Sequence, residues 1–230
     1  MEKPSGLPTM PKDGADAAAL ACRLAARYPE LTGVGPPLEA GLVHRLDAET
    51  SGLLVAARSE ADRQALRFLW KWRRVDKEYL ALVHGAVSRS FTVLLAIGHH
   101  PKSARRMVLS PGGMSAESRV RPLCRGKNWS LVAVSLREGR RHQIRVHLAE
   151  SGYAVAGDPL YGNGPAKDSV PRLMLHASRL GFRIDPSSEA VRFYSRPPED
   201  FVSSVNRKLR GRVEEAMDQY FRDDSPGRRS

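Results

Sequence analysis

Gly41-Leu42-Val43-His44-Arg45-Leu46-Asp47-Ala48-Glu49-Thr50-Ser51-Gly52-Leu53-Leu54-Val55 is the stretch around which the rest of the chain can be read. Two apolar runs, Leu42-Val43 and Leu53 to Ala57, have the length and composition of short buried strands. The polar segment between them carries Asp47 close behind a histidine and an arginine. Thr50, Ser51 and Gly52 are turn formers, so Asp47 is expected on a loop held by both flanking strands. A catalytic group needs that placement, open to substrate yet fixed by packed elements. An isolated His-Arg-Leu-Asp would read instead as a surface turn with an ion pair.

Outward from this stretch, Ser59 followed by Asp62 opens a helix with Ala65, Leu66 and Leu69 at helical spacing. Trp70 and Trp72 near its end read as packing residues. Lys77 to Val83 reads as a strand closed by His84-Gly85, and a strand-rich region runs on to Leu123. Within it, His99 to Arg106 is a basic loop, expected to be solvated and mobile or to touch nucleic acid. Trp129 to Arg137 alternates like a strand, and Arg140 to Glu150 reads as a helix ended by Gly152. Upstream, Asp16 to Tyr28 is an alanine-rich helix with Asp16 as N-cap. Gly157-Asp158-Pro159-Leu160-Tyr161-Gly162 is a tight loop, and Leu173 to Ala177 begins another ordered element. From Asp223 the chain is charged and expected to be disordered.

The charge is informative. Lys and Arg number 37 against 25 Asp and Glu, a net +12, which favours a polyanionic partner. The excess is dispersed over Lys71 to Arg74, Lys102 to Arg106, Arg137 to Arg145 and Arg207 to Arg212. No basic amphipathic helix gathers it, so nucleic-acid phosphate is a better partner than a membrane surface. No apolar run approaches the roughly 20 residues of a membrane span, and the N-terminus lacks a signal peptide's apolar core. Cys22 and Cys124 stand far apart, unlike a zinc or disulfide framework. His142 and His147 are five apart, so they diverge on a helix, unlike the i, i+4 pair of a zinc motif. These features fit a cytoplasmic protein without a metal or cofactor.

Six segments, Lys-Pro-Ser-Gly-Leu-Pro from Lys3, His-Arg-Leu-Asp-Ala-Glu-Thr-Ser-Gly-Leu-Leu-Val from His44, Lys-Glu-Tyr-Leu-Ala-Leu-Val from Lys77, Gly-Arg-Arg-His-Gln-Ile-Arg-Val-His-Leu from Gly139, Gly-Asp-Pro-Leu-Tyr-Gly from Gly157 and Arg-Leu-Met-Leu-His-Ala from Arg172, occur in order. Together they closely resemble the RluA-type pseudouridine synthases, over nearly the whole chain. Arg141 departs from the threonine usual there, and Glu117 stands where threonine is common. Family members normally carry a strand ahead of Lys3 and often an additional small RNA-binding domain; the sequence opens without either.

The resemblance implies an α+β catalytic domain over residues 1–222, with a central mixed, largely antiparallel sheet flanked by helices and loops. It implies isomerisation of uridine in ribosomal or transfer RNA by a monomeric enzyme. Asp47 would be the nucleophile, Arg145 the cation paired with it, and Tyr79 the proton acceptor. Arg45 would fill the space left by a flipped base, His44 would support the loop, and Leu175 would wall the uracil pocket. Two other readings are a catalytically silent RNA-binding factor on the same fold and an aspartate-dependent phosphatase. The latter is suggested by Asp47-Ala-Glu-Thr50, but the second acid is glutamate and no downstream acidic pair is evident for Mg²⁺.

Overall fold

The computed structural model describes residues 1–11, 18–162, 164, 167, 170–185, 187–211 and 213–222. The first half of the chain forms β1 (Glu2–Lys3), α1 (Leu20–Arg27), β2 (Ser51–Leu53), α2 (Glu60–Lys71), β3 (Val75–His84), β4 (Phe91–Leu94), β5 (Ile97–His100) and β6 (Ser103–Leu109). The second half forms β7 (Glu117–Arg125), β8 (Trp129–Leu136), α3 (Gln143–Glu150), β9 (Leu175–Phe182), β10 (Val191–Tyr194), α4 (Glu199–Leu209) and α5 (Val213–Arg222). This is the expected α+β class, its strands pairing largely antiparallel. Two compact units divide it: Met1–Lys77 with Ala177–Ser195, and Glu78–His176 with the segment from Arg196 onward.

In the first unit β1 runs antiparallel to β2, Lys3 opposite Gly52. β2 neighbours β9, and β10 pairs antiparallel with β9. Ser51 and Gly52 therefore belong to a strand, not to the turn assigned to them. Gly52 adopts φ +114°, and a Cβ there would collide with the Ala177 backbone. The glycine is required by close strand packing, a demand invisible in local sequence. The two flanking strands read from the sequence shrink to β2 and an isolated bridge between Leu42 and Ala56. α2 opens as expected: Ser59 Oγ accepts from the Asp62 N–H at 3.1 Å, and Leu66 and Leu69 are buried. Trp72, by contrast, is exposed. α1 is shorter than expected, starting at Leu20 after Ala19; the proposed cap Asp16 lies outside the described residues.

The second unit carries the order β3-β8-β7-β4 and a separate β5–β6 hairpin. Leu80 to Val83 is an unbroken buried run because both faces of β3 are covered. On one face Leu80, Leu82, Leu131 and Ala133 pack with Phe201 and Val205 of α4 and Met217 and Tyr220 of α5. On the other, Ala81, Val83, Val132 and Val134 pack with Ile144 and Leu148 of α3. The period of two along a strand sorts these side chains. α4 and α5 were not anticipated, although Phe201, Val205 and Leu209 recur at i, i+4 and i+8. The expected mobile loop His99–Arg106 is ordered hairpin, with His99 opposite Met107.

The helix expected from Arg140 starts only at Gln143. Gln143 N–H donates to the Arg140 carbonyl at 3.0 Å, and its side-chain Oε1 accepts from the Arg140 N–H at 2.9 Å. This ties residues 140–143 into a turn, and His142 takes a left-handed conformation, φ 55°. The tail expected to be disordered from Asp223 lies outside the described residues. Among the described residues, no helix is long and apolar enough to cross a membrane.

Candidate active site

Asp47 occupies the first position of a β-turn, its carbonyl accepting from the Thr50 N–H at 3.1 Å. The Lys-Pro-Ser-Gly-Leu-Pro segment holds this turn from outside. Lys3 Nζ donates to the carbonyls of Pro4, Leu7 and Ala48, each at 2.8 Å. Gly6 N–H donates to the same Ala48 carbonyl at 2.8 Å, and Ser5 Oγ donates to the Glu49 carbonyl at 2.6 Å. Thr9 Oγ1 donates to the Leu46 carbonyl at 2.7 Å and accepts from the Leu46 N–H at 3.1 Å. Every residue around Asp47 from Leu46 to Glu49 thus has a backbone carbonyl with a fixed donor. Asp47 itself is half-buried, reachable yet on a rigid backbone, the placement its sequence position predicted.

His44 braces the same stretch. Its Nε2 accepts from the Val55 N–H at 3.0 Å, which puts the proton of the neutral ring on Nδ1. The ring stacks on Trp70 with centroids 4.7 Å apart, so Trp70 packs as expected, with the imidazole as its partner. Burial first, then the charges of Lys77 and the N-terminal ammonium, push the His44 pKa down to about 3. The ring is neutral across the physiological range and serves as an acceptor and a stacking surface. Arg45 is exposed, free of the packing that fixes its neighbours. His44, Arg45 and Asp47 all belong to the first unit.

Tyr79, Arg145 and Leu175 belong to the second unit. Leu175 is buried in the cluster containing Ile144 and Leu148, and half-buried Tyr79 packs against that cluster. Arg145 is 1% exposed and Asp158 0%. The guanidinium grips the carboxylate through Nε to Oδ2 and Nη2 to Oδ1, both at 2.8 Å, a bidentate fork. Asp158 Oδ1 also accepts from the backbone N–H groups of Leu160 at 2.9 Å and Tyr161 at 3.0 Å. Burial works to raise the Asp158 carboxyl, but Arg145 and these two amides outweigh it and hold it below the usual carboxylate range. Sequence reasoning passed over Asp158, though an Asp binding amides two and three residues on is a recognisable turn former.

Tyr161 completes this corner. Its Oη accepts from the Met107 N–H of β6 at 2.7 Å and shares a 2.9 Å hydrogen bond with His142 Nδ1. The Arg106 and Arg145 guanidinium carbons each lie 5.3 Å from its ring centroid. Arg141, at the departure from the family pattern, donates from Nη1 to the Ala104 carbonyl of β6 at 3.0 Å. His147 points elsewhere: Nε2 donates to the Leu95 carbonyl at 3.0 Å and Nδ1 pairs with Ser118 Oγ at 2.8 Å. The two histidines meet different partners, but not through helical spacing as expected, because His142 precedes α3 in a left-handed conformation. Among the described residues no group of three or more His, Cys, Asp or Glu is arranged to hold a metal ion.

A family model described as RNA pseudouridylate synthase matches residues 1–150, a span that includes Asp47, Tyr79 and Arg145. A protein named as an uncharacterized RNA pseudouridine synthase in Chloroflexus aurantiacus is 38% identical over 211 residues, covering 92% of this chain and 66% of the relative. The ribosomal large subunit pseudouridine synthase D of Neisseria meningitidis is 36% identical, covering 97% of this chain and 64% of the relative. The chain thus spans about two thirds of the length of these curated relatives. Among solved structures, human RNA pseudouridylate synthase domain containing 1 superposes with TM-score 0.69 at 29% identity, covering 86% of this chain and 78% of that one. Human RNA pseudouridylate synthase domain containing 4 gives TM-score 0.71 at 25% identity, covering 91% and 88%.

Proposed function

The chain belongs to the RNA pseudouridylate synthase family, and on that premise we propose that it isomerises uridine in RNA to pseudouridine with Asp47 as nucleophile. The reaction breaks the N1–C1′ bond, turns the freed uracil and joins C5 to C1′. The C5 proton leaves and N1 gains one, so no electrons enter or leave and no redox partner is required. A carboxylate supplies the attack that splits this difficult exchange into two steps. Tyr79 takes the C5 proton as general base, and Arg145 supplies positive charge for the anionic stages. A base stacked in a helix is out of reach, so the target uridine leaves the stack. Arg45 fills the space it vacates, Leu175 walls the uracil, and His44 braces the loop without entering the chemistry.

The observation that carries this reading is the hold on Asp47. A half-buried side chain on a turn pinned by Lys3, Ser5, Gly6 and Thr9 is preorganised for attack. Substrate RNA, ribosomal or transfer, meets the dispersed basic segments through its phosphates. The enzyme acts as a cytoplasmic monomer with residues 1–222 as its catalytic domain.

Asp47→Asn tests the assignment. It preserves volume and removes the charge, so pseudouridine formation should fall to background in a single-turnover assay while RNA affinity is kept or improves. Glu49→Gln, two residues along, should stay active. Product from Asp47→Asn, or loss with Glu49→Gln alone, overturns the assignment. A wild-type protein that binds RNA yet forms no pseudouridine would instead be a silent binding factor.

A further inference from the structure

The C-terminal end of α2 turns two large aromatic rings toward solvent: Trp72 is 58% exposed and Phe68 50%. Four residues apart, they share one side of the helix. Their ring centroids lie 6.0 Å apart, with the planes tilted by 48°. Single exposed apolar residues are ordinary, whereas adjoining aromatic rings mark an interaction surface. The core takes a different side of α2, that of Arg63, Leu66 and Leu69.

Cations surround the pair. From Arg67 to Lys77 the chain carries five, Arg67, Lys71, Arg73, Arg74 and Lys77, against one acid, Asp76. Arg67, Lys71, Arg73 and Arg74 are all exposed. Arg67 and Lys71, themselves four apart, form the row of the helix next to Phe68 and Trp72. The Arg74 guanidinium carbon lies 5.7 Å from the Phe68 centroid, so a cation already sits on one ring.

The backbone is bent to place them there. Arg73 N–H donates to the Trp70 carbonyl at 3.2 Å and Arg74 N–H to the Leu69 carbonyl at 2.9 Å, the paired bonds of a Schellman ending. Arg73 takes the left-handed position of that motif, φ 56°, which glycine fills most easily. The chain places a charge there instead. One residue earlier in the helix than Lys71, Trp70 stacks on His44 with centroids 4.7 Å apart, and His44 stands three residues before Asp47. The helix end that carries the exposed rings therefore adjoins the stretch that carries the nucleophile.

We propose that Trp72 and Phe68 are a stacking platform for unpaired nucleotides of the RNA substrate, with Arg67, Lys71, Arg73 and Arg74 taking the phosphates that join them. The proposal rests on the reading of RNA as the substrate. Single-stranded RNA alternates flat base faces with phosphates, which is the pattern of rings and cations on this surface. A duplex keeps its base faces inside the stack, so it meets the cations and not the rings. An apolar protein partner would meet the rings and leave the cations unanswered. The substrate class that follows is an RNA with an unpaired stretch beside its target uridine.

A short oligoadenylate is the probe. It contains no uridine, so its binding is independent of isomerisation. Wild type, Trp72→Phe, Trp72→Ala and Phe68→Ala are compared, with urea midpoints as the folding control. The dissociation constant should rise about 5- to 100-fold in Trp72→Ala. The rise should be smaller in Phe68→Ala, whose ring Arg74 partly covers, and smallest in Trp72→Phe, which keeps a ring face. Affinity for a blunt RNA duplex of the same length should change less than about twofold in all three. Lys71→Gln should lower the log–log salt slope for oligoadenylate by about 0.7.

A wild-type protein that does not bind oligoadenylate, or a Trp72→Ala protein within about twofold of wild type, overturns the proposal. So does an equal loss toward duplex and single strand, because the ring would then serve the fold alone. A wild-type dimer that Trp72→Ala dissociates, with oligoadenylate binding unchanged, would give the surface to a second copy and also overturns it. If wild type binds oligoadenylate through Trp72 yet forms no pseudouridine in RNA, the platform stands and the reading of Asp47 fails separately.

Discussion

Asp158→Asn isolates what the buried ion pair contributes. The substitution keeps shape and removes one charge from a pair in which Arg145 is 1% and Asp158 0% exposed. If the Asn oxygen takes the place of Oδ1, the amides of Leu160 and Tyr161 and the Arg145 Nη2 keep an acceptor. The amide nitrogen then replaces Oδ2 and faces the Arg145 Nε–H, 2.8 Å away in the native pair. Two donors confront each other and the guanidinium loses the carboxylate that grips it through two bonds. Removing one partner of a buried pair costs about 3–5 kcal/mol, and the donor clash argues for about 4 kcal/mol here. At about 2–4 °C per kcal/mol for a chain of this size, Tm should drop by roughly 8–16 °C.

Urea unfolding followed by tryptophan fluorescence, with calorimetry, measures the loss at neutral pH. Asp158→Asn with Arg145→Met should be less destabilised than the sum of the two single changes, because neither charge is left alone. Acid gives an independent arm. The folded Asp158 carboxyl is held low, so its contribution is present above the unfolded carboxylate value of about 4 and disappears as pH falls through the folded one. The gap between wild type and variant should therefore stay level from about pH 5 to 8 and close in stronger acid. A loss under about 1 kcal/mol, or a gap that does not close, would refute the reasoning.

Tyr79→Phe keeps the ring that packs against the Leu175 cluster and should slow product formation about 10²–10⁴-fold; unchanged single-turnover kinetics would reduce Tyr79 to packing. RNA affinity should fall steeply with salt, with about 0.7–0.9 added to the log–log slope per phosphate contact, and a flat titration between low and moderate salt would exclude phosphate binding. His44, at about 3 when folded against about 6.5 unfolded, takes up a proton more readily in the unfolded chain. Its part of the stability is complete above about pH 6.5 and is lost as pH falls toward the folded value. Allowing for partial exposure of the residue, that is roughly 1–3 kcal/mol. His44→Gln should flatten stability between those limits, as read by urea midpoints.

Elements whose causes are local can be read from the sequence alone. Ser59 capping α2 and the apolar run of β3 are each dictated by neighbours within a few residues. The placement of Asp47 on a held turn was legible for the same reason. The family, too, was legible, because it is carried by short ordered motifs. The rest depends on partners far apart in the chain. Gly52 is a strand residue because the Ala177 backbone presses on it, and no turn propensity records that. The Asp47 turn is tied down by Lys3 and Thr9, across 45 and 37 residues. The basic segment after His99 is a hairpin because Tyr161 and Arg141 bond its second strand. Arg145 has Asp158 as a bidentate partner because folding carries both out of water, where an unpaired charge is too costly to persist.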